Sequence, residues 1–343
     1  MSELKGLILA AGRGTRLRPL TSRRTKPLLP LAGQPLIAYP LQKLMLSGIT
    51  EIGIVAGDNE AELRQGLASV PANLTFVHQD EPLGLAHAVN AAREYTGDSD
   101  FVLMFCDNIF SEPLCFALAE WEVFRRRDPD TAALIHVIEC DDPRAFGVAV
   151  VDVDGAVLEM EEKPAQPKSN LAVVGIDFLT PAIYDAIARI KPSARGELEI
   201  TDALAELITL GHRVQARRLT GFWFDTGTFG DLTAALRPVM DEYGAYGTSS
   251  SHPGCTLTGP VGIGRHSRVE NCELTGPVII GANCQVTDSR LGPYTVIGNG
   301  STVSGCALTD CEIYAETVIA NIEDNRAIYD GDLRVDEATP PGT

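Results

Sequence analysis

The sequence predicts an α/β domain built on a mixed, mainly parallel sheet, followed by a short parallel β-helix. Over residues 1–242, short apolar segments alternate with segments of helical periodicity, which is typical of strands joined by helical crossovers. After residue 253, apolar residues return at a constant spacing of 17, which is typical of coils stacked on one another. Residues 243–253 are rich in Gly and Ser and predict a linker between the two domains.

The composition excludes several classes of protein. With 45% hydrophobic residues, no signal peptide and no apolar run as long as the ~20 residues of a membrane helix, we expect a cytoplasmic protein without a membrane partner. The net charge of −18 argues against a nucleic-acid partner, because phosphate backbones need a basic surface. The eight cysteines lack the spacing of a zinc site, and we expect them to be reduced and packed.

The first apolar segment, Lys5-Gly-Leu-Ile-Leu9, predicts a buried strand that opens into a glycine-containing loop. From Lys5 to Thr50 the chain has eight Lys or Arg and no Asp or Glu. Backbone N–H groups and these cations together suit a polyphosphate. The loop is neither a P-loop nor a dinucleotide-binding motif, because no Gly-Lys-Ser/Thr follows and the third glycine is missing. The alternative is a basic surface loop without a ligand.

The following segments continue the alternation. Helices are predicted over 36–46, 59–67 and 231–240, strands over 51–56 and 74–77, and a hairpin turn at 153–155. In parallel sheets, ligands bind outside the carboxyl ends of the strands, where the loop around Gly12 lies.

Two further strand ends carry side chains that suit a ligand. Gln79 can bond a pyrimidine through both halves of its amide, and Gly84 lets the backbone approach the base; a turn with a solvent-facing Gln is the alternative. The apolar strand from Phe101 ends in Asp107, whose charge needs a partner or a metal unless it only caps a turn. The hairpin leads into Glu162-Lys163, which could equally be a charged sheet edge.

The repeat region has three apolar anchors per coil, separated by steps of 6, 5 and 6 residues. The anchors are Ile263, Val269, Leu274, then Ile280, Val286, Leu291, then Ile297, Val303, Leu308. Hexapeptide spacing of this kind predicts a parallel β-helix over 254–322. Residues 323–343 are acidic and are predicted to be a C-terminal tail.

The loop Gly12-x-Gly-Thr-Arg-Leu-x-Pro-Leu-Thr21 followed by Lys26-Pro27 resembles the signature loop of the sugar nucleotidylyltransferases. The segment Gln79–Val89 is typical of the thymidylyl branch, whereas Ala10-Ala11-Gly12 is more familiar from uridylyl members. As a whole, the chain is most similar to the long form of the thymidylyl branch, which has an added C-terminal domain. The resemblance extends over essentially the whole chain. It implies a Rossmann-like, GT-A-like catalytic domain over 1–242, a left-handed β-helix and self-association into a homo-oligomer.

The resemblance also implies residue roles. Arg16 and Lys26 would bind the triphosphate and Lys163 the sugar phosphate, as the catalytic cations. The implied nucleotide contacts are Leu9, Gly12, Gly14, Thr15, Arg16, Gln79, Pro82 and Gly84. The implied sugar contacts are Asn108, Gly147, Glu162 and Val173. Asp107 and Asp225 would hold Mg²⁺. This ion prefers oxygen ligands, which two carboxylates and the substrate phosphates provide.

The implied reaction is transfer of a nucleoside monophosphate from dTTP to glucose 1-phosphate, with release of pyrophosphate. A sugar phosphate is already an anionic nucleophile, so positioning and cations should provide most of the catalysis. The same chemistry with UTP, or with another sugar or cyclitol phosphate, is the nearest alternative. A non-catalytic regulatory subunit and a β-helix acetyltransferase are the more distant ones.

Overall fold

The computed structural model describes residues 4–244 and 252–339, which fall into two compact units. Unit 1 comprises the chain up to Gly12 together with Ile37–Trp223, and unit 2 comprises Arg13–Leu36 together with the chain from Phe224 onward. The basic loop therefore belongs to the same unit as the β-helix, which differs from the predicted division at residue 242. Most of the predicted linker over 243–253 lies outside the described residues.

The secondary structure from Lys5 to Tyr243 follows the predicted alternation. The strands are β1 (Lys5–Leu9), β2 (Pro30–Leu31), β3 (Gln34–Pro35), β4 (Glu51–Ala56), β5 (Asn73–His78), β6 (Phe101–Phe105), β7 (Asn108–Phe110), β8 (Thr131–Glu139), β9 (Gly147–Val151), β10 (Val157–Glu162), β11 (Leu171–Leu179), β12 (Arg213–Arg218) and β13 (Trp223–Asp225). The helices are α1 (Ala38–Leu46), α2 (Glu60–Gly66), α3 (Leu85–Ala91), α4 (Arg93–Thr96), α5 (Leu114–Arg127), α6 (Ile183–Ile187), α7 (Ile200–Thr209) and α8 (Phe229–Tyr243). Over the described residues, none of the helices is both long and apolar enough to cross a membrane.

Unit 1 is built on a mixed sheet with the strand order β10-β9-β11-β6-β1-β4-β5, and β8 and β12 continue from β11. The four strands from β6 to β5 are parallel, with Leu7 opposite Gly53 on one side and Leu103 on the other. β1 and β6 are apolar because helices cover both faces of such strands. The α/β fold predicted from the alternating pattern is confirmed.

Unit 2 contains a β-helix whose coils each contribute strands to three parallel sheets. The strands are β14 (Thr256–Thr258), β15 (Val261–Ile263), β16 (Arg268–Glu270), β17 (Glu273–Thr275), β18 (Val278–Ile280), β19 (Gln285–Thr287), β20 (Arg290–Leu291), β21 (Thr295–Ile297), β22 (Thr302–Ser304), β23 (Ala307–Thr309), β24 (Glu312–Ile313), β25 (Val318–Ala320), β26 (Glu323–Asn325), β27 (Ile328–Asp330) and β28 (Leu333–Val335). The arrangement is consistent with a left-handed β-helix.

The predicted anchors stack as the spacing requires. Ile263 pairs with Ile280 and Ile280 with Ile297, and the Val and Leu anchors stack in the same way. Cys272, Cys284, Cys306 and Cys311 are buried in this core as free thiols. Burial of stacked aliphatic side chains, at about 25 cal/mol per Å² of apolar area, is what holds one coil on the next.

The β-helix extends beyond residue 322, into the segment that the sequence predicted as an acidic tail. The later coils are one residue shorter, since Ile297 pairs with Ile313 and Val303 with Ile319. In the next row Leu308 lies opposite Asp324, so a polar residue replaces the expected apolar anchor. The antiparallel pair β27–β28 closes the last sheet. Both changes break the 17-residue pattern, which is why the pattern ended too early; residues 340–343 lie outside the described chain.

Candidate active site

The carboxyl ends of the parallel strands in unit 1 are tied together by backbone hydrogen bonds. The Leu9 carbonyl accepts the N–H of Cys106 at 3.2 Å, and the N–H of Ala10 donates to Val55 at 2.8 Å. The N–H of Gln79 donates to Ala56 at 2.7 Å. The first residues of the glycine loop, Asp107 and Gln79 therefore leave one edge of the sheet, as predicted from the topology.

Asn108 is buried beside Asp107 and orients its carboxylate. Its Oδ1 accepts the indole N–H of Trp223 at 2.7 Å and the N–H of Gly175 at 3.3 Å, while its Nδ2 donates to Asp107 Oδ1 at 3.1 Å. The oxygen of the Asn108 amide is thus engaged within the protein. The predicted sugar contact by this residue can involve only its remaining Nδ2 hydrogen.

Gln79 is also buried, and its amide nitrogen is held by two partners. Nε2 lies 3.3 Å from the carbonyl oxygen of Gly84 and 3.0 Å from Nδ1 of His87. The geometry therefore differs from the prediction that both halves of the amide face a base, because the amide nitrogen bonds to the protein and only the oxygen remains for a ligand. His87 had no predicted role, and its position eight residues beyond Gln79 is the only sequence signal of this contact.

Gly84 lies at the start of α3 in a conformation that only glycine adopts readily. Its φ is +109°, and a Cβ at this position would lie 2.5 Å from the carbonyl oxygen of Leu198. The Leu198 backbone holds this segment on both sides, since its N–H donates to Leu83 at 2.7 Å and its carbonyl accepts the N–H of Ala86 at 2.9 Å. Pro82, predicted to contact the nucleotide, is exposed just before this turn.

A second cluster surrounds Glu162 at the end of β10. Oε1 of Glu162 pairs with Arg195 Nη2 at 3.0 Å and with Lys163 Nζ at 3.5 Å, and Oε2 accepts the hydroxyl of Thr201 at 2.8 Å. A Cβ on Gly147 would lie 2.6 Å from that hydroxyl, so only glycine fits beside it. The structure thus brings together three of the predicted residues.

Arg195 and Thr201 were missed as members of this cluster. No local pattern marks these two residues, because their contacts with Glu162 span more than thirty residues. Arg195 also pairs with Glu199 at 2.8 Å. Val173, the last predicted sugar contact, lies half-buried in β11 opposite Val137 and could offer only its backbone to a ligand.

In unit 2 the basic loop folds as three short 3₁₀ turns, Thr15–Leu17, Leu20–Ser22 and Lys26–Leu28. Gly14 begins the first turn with φ of +59°, and a Cβ there would lie 2.8 Å from the Cβ of Lys26. The hydroxyl of Thr21 donates to the Gly14 carbonyl at 2.9 Å. This close packing places the buried Lys26 side chain against the glycine turn that the signature motif predicts for phosphate binding.

Arg16 and Asp225 meet at another glycine of unit 2. A Cβ on Gly227 would lie 2.9 Å from Nη2 of Arg16 and 3.3 Å from Oδ1 of Asp225. Arg16 is exposed and forms no ion pair with any residue that the structure describes. A cation and a carboxylate therefore lie next to one backbone position, and the lack of a side chain at Gly227 is what lets both approach it.

Other cations of the basic segment have structural partners. Arg24 pairs with Asp330 of β27 at 2.8 Å, and Arg23 bonds both the carbonyl of Asp330 and the carboxylate of Asp332. Lys5 donates to the Tyr95 carbonyl at 2.6 Å. The sequence interpretation of the whole stretch as one anion site is thus too broad, because the β-helix takes up Arg23 and Arg24.

Glu312 in β24 adds a buried contact to the same loop. Its Oε1 accepts the N–H of Gly33 at 2.9 Å, and burial raises the pKa of this carboxyl to about 7. The hydroxyl of Tyr314 donates to the Pro30 carbonyl at 3.3 Å, and the guanidinium of Arg24 lies over the Tyr314 ring. The loop is therefore fastened to the β-helix by backbone, side-chain and ring contacts.

The predicted metal ligands are carboxylates, which suit Mg²⁺ because this ion prefers hard oxygen donors. Asp107 belongs to unit 1 and Asp225 to unit 2, so their sharing of one ion remains a prediction. In the described parts of the chain, no three His, Cys, Asp or Glu side chains are grouped as metal ligands. A site of two carboxylates would leave the other positions to phosphate oxygens and water.

Comparison with known proteins identifies the family of the chain. The family model for nucleotidyl transferases matches residues 5–242. Glucose-1-phosphate thymidylyltransferase of Streptomyces antibioticus is 39% identical over 93% of this chain and 89% of its own length. The UTP–glucose-1-phosphate uridylyltransferase AglF of Haloferax volcanii is 35% identical over 70% of this chain and 98% of its own. A structure of UDP-glucose pyrophosphorylase with UDP-glucose superposes with a TM-score of 0.61 at 26% identity, covering 68% of this chain and 96% of that one.

Enzymes of this family generally use a divalent metal ion, in keeping with the carboxylates at the ends of β6 and β13. The family match covers the strand ends, the glycine loop and the Glu162 cluster. The chain is a nucleotidyltransferase and belongs to the nucleotidyl transferase family.

Proposed function

We propose that this enzyme transfers deoxythymidine monophosphate from dTTP to glucose 1-phosphate, giving dTDP-glucose and pyrophosphate. A phosphate oxygen of the sugar phosphate attacks the α-phosphorus, and the bond from that phosphorus to the oxygen bridging the β-phosphate breaks. The nucleophile is already anionic near neutral pH, so no general base is required. The protein then has to align two polyanions and stabilise the charge that develops on them.

The observation that carries this proposal is the meeting of Arg16 and Asp225 around Gly227. Arg16 has no ion-pair partner among the described residues and can bind phosphate oxygens as a bidentate donor. Lys26, packed on Gly14, would place a second cation beside the turn that carries Arg16. These cations act on the triphosphate, where backbone N–H groups of the glycine loop add fixed dipoles.

The Glu162 cluster suits the sugar phosphate. Lys163 and Arg195 supply two cations next to one carboxylate, so a phosphate can bind without displacing either cation from its partner. The carboxylate of Glu162 can accept hydrogen bonds from sugar hydroxyls, and the lack of a side chain at Gly147 lets the Thr201 hydroxyl hold this carboxylate in place. We assign Lys163 to the phosphate and Glu162 to the sugar ring.

Mg²⁺ would be held by Asp107 and Asp225 and would neutralise charge on the triphosphate. Asn108 fixes the direction of the Asp107 carboxylate.

The same reaction with UTP is the second candidate. The relatives include both thymidylyl- and uridylyltransferases, and the oxygen of the Gln79 amide can accept the N3–H of either base. The test is a screen of dTTP, UTP, CTP and ATP against glucose 1-phosphate and other sugar and cyclitol phosphates, with pyrophosphate release as readout. Fastest release with dTTP and glucose 1-phosphate is expected. Release with none of these pairs would overturn the proposal and favour a regulatory subunit.

We further propose that the enzyme acts in the cytoplasm as a homo-oligomer. Light scattering of the purified protein tests the oligomer. An acetyltransferase activity of the β-helix would instead show as transfer from acetyl-CoA to a sugar acceptor, which we do not expect. All the cations and carboxylates implied by the signature are present in the sequence, which is why nucleotidyl transfer is preferred.

A further inference from the structure

The side-chain amide of Gln79 has only one orientation that satisfies its surroundings. Its nitrogen lies 3.3 Å from the carbonyl oxygen of Gly84, and a carbonyl oxygen can only accept a hydrogen bond. Turning the amide over would bring two oxygens together. The orientation with the nitrogen towards Gly84 is therefore the favoured one, although a bond of 3.3 Å holds it only weakly.

The second amide hydrogen is directed at His87. Nε2 of Gln79 lies 3.0 Å from Nδ1 of His87, which accepts this hydrogen when the ring is neutral and its proton is on the other nitrogen. Both hydrogens of the amide are then used within the protein. Oε1 makes no hydrogen bond with any described residue, so the oxygen is the part that remains for a ligand.

The two acceptors are themselves fixed in place. Gly84 is confined by the Leu198 backbone, which a Cβ on Gly84 would approach to 2.5 Å. His87 lies on α3 between Ala86 and Ala88, both of which are buried in the core of unit 1. The direction of the Gln79 oxygen is thus set by parts of unit 1 that cannot easily move.

A lone acceptor distinguishes bases by the hydrogen on one ring nitrogen. Thymine and uracil carry N3–H and can donate it to Oε1. N3 of cytosine and N1 of adenine are acceptors, so their lone pairs would be repelled by the lone pairs of Oε1. We propose that His87 is a positioning residue for base specificity, which directs Oε1 of Gln79 towards the N3–H of thymine or uracil. This inference rests on the proposed function, in which Gln79 contacts the base.

Without His87 the amide would be held by the longer bond to Gly84 alone. Rotation by 180° would then present the nitrogen to the ligand, which suits cytosine. A site that loses one neutral hydrogen bond typically loses about tenfold in discrimination. We expect the ratio of kcat/KM for dUTP over dCTP to fall about tenfold or more in His87→Leu.

The experiment compares dUTP with dCTP, which differ only at ring positions 3 and 4, using pyrophosphate release with glucose 1-phosphate. His87→Asn is the rescue variant, because its Oδ1 can take the place of Nδ1 as an acceptor, and it should keep most of the discrimination. His78→Leu is the matched control: His78 directly precedes Gln79 but pairs with Glu60, so the ratio should not change. KM and kcat are measured separately, and the change is expected mainly in KM.

The outcomes separate this inference from the proposed function. If the wild-type enzyme releases pyrophosphate from none of the triphosphates tested, the proposed function fails. If the wild-type kcat/KM for dCTP equals that for dUTP, the amide is not held as described. The inference is then overturned without any variant. If a folded His87→Leu keeps the wild-type ratio, or His87→Asn loses as much as His87→Leu, His87 does not set the specificity.

Discussion

The two ends of the basic loop use the same residue type for different tasks. Arg16, at the first end, is exposed beside Asp225 and forms no ion pair with a described residue, whereas Arg24, at the second end, is paired with Asp330 at 2.8 Å. Eight residues separate them in a sequence that gives no sign of the difference. An arginine near a glycine loop binds phosphate only if no carboxylate of the fold already neutralises it, and that depends on residues three hundred positions away.

The largest expected effect comes from substitution of Arg16, at the first end of the loop. Arg16→Ala should lower kcat/KM for the triphosphate by about 10²–10³, the usual loss for one preorganised donor in an active site. Its thermal stability should stay close to that of the wild type, because the side chain is exposed. Steady-state kinetics and a melting curve on one preparation decide the point. Unchanged turnover would place Arg16 with Arg24 as a structural residue.

The second effect concerns stability and pH at the fastened end. Burial raises the pKa of Glu312 to about 7 from an ordinary value near 4.5. The folded state therefore holds a proton that the unfolded state releases, so this group lowers stability as pH rises from 4.5 to 7. Glu312→Gln removes that loss, which is about 3 kcal/mol at full extent because one pKa unit corresponds to about 1.4 kcal/mol.

The measurement is the difference in Tm between Glu312→Gln and the wild type at several pH values. It should grow between pH 4.5 and 7 and then level off, with the variant the more stable protein above pH 7. Glu316→Gln, four residues along the same β-helix and exposed, is the control and should show no such trend. A difference that stays constant over this range would contradict the raised pKa.

A smaller effect is expected from the ion pair that fastens Arg24. Asp330→Asn leaves the partly buried guanidinium without its counter-charge and should cost about 1 kcal/mol, since Arg24 keeps some contact with solvent. Because the loop loses a tether, KM for the triphosphate should rise more than kcat falls. Urea unfolding and kinetics test the two parts separately. A fall in kcat with an unchanged KM would argue against the tether.

The smallest effect is expected at the exposed pair of Arg23 and Asp332. Asp332 is almost fully exposed, so Asp332→Asn should leave both Tm and KM within experimental error. This variant is the matched control for Asp330→Asn, because both carboxylates bind the same short stretch of loop. A loss as large as that of Asp330→Asn would mean that net charge, rather than the buried contact, holds the loop.

Much of the fold could be predicted from local patterns. The strand over Glu51–Ala56 has the predicted bounds, and the rows through Ile263, Val269 and Leu274 stack as their spacing indicated. Both predictions depend on periodicity, which a chain expresses within a few residues. The pattern failed at residue 322, where shorter coils and Asp324 interrupt it although the β-helix continues.

The site was predicted as a set of residue types but not as a set of contacts. Lys26 packs on Gly14 and Glu162 lies in a cluster with Lys163 and Gly147, while their binding of substrate stays a prediction. The role of Arg195, the partners of Arg23 and the direction of the Gln79 amide were not predictable, because each is decided by atoms distant in sequence. Side-chain orientation follows from tertiary packing, which periodicity does not encode.

The division of the chain also bears on the order in which the protein folds during synthesis. The glycine turn at Gly14 leaves the ribosome among the first residues, yet its fastening points at Glu312 and Asp330 are synthesised about three hundred residues later. Contacts of such long sequence separation form late, because the intervening chain must first be ordered. The sheet of unit 1 can assemble while translation continues, whereas the Gly14 turn must wait for the final coils. We therefore expect the basic loop to reach its final conformation only when the last part of the β-helix has been made.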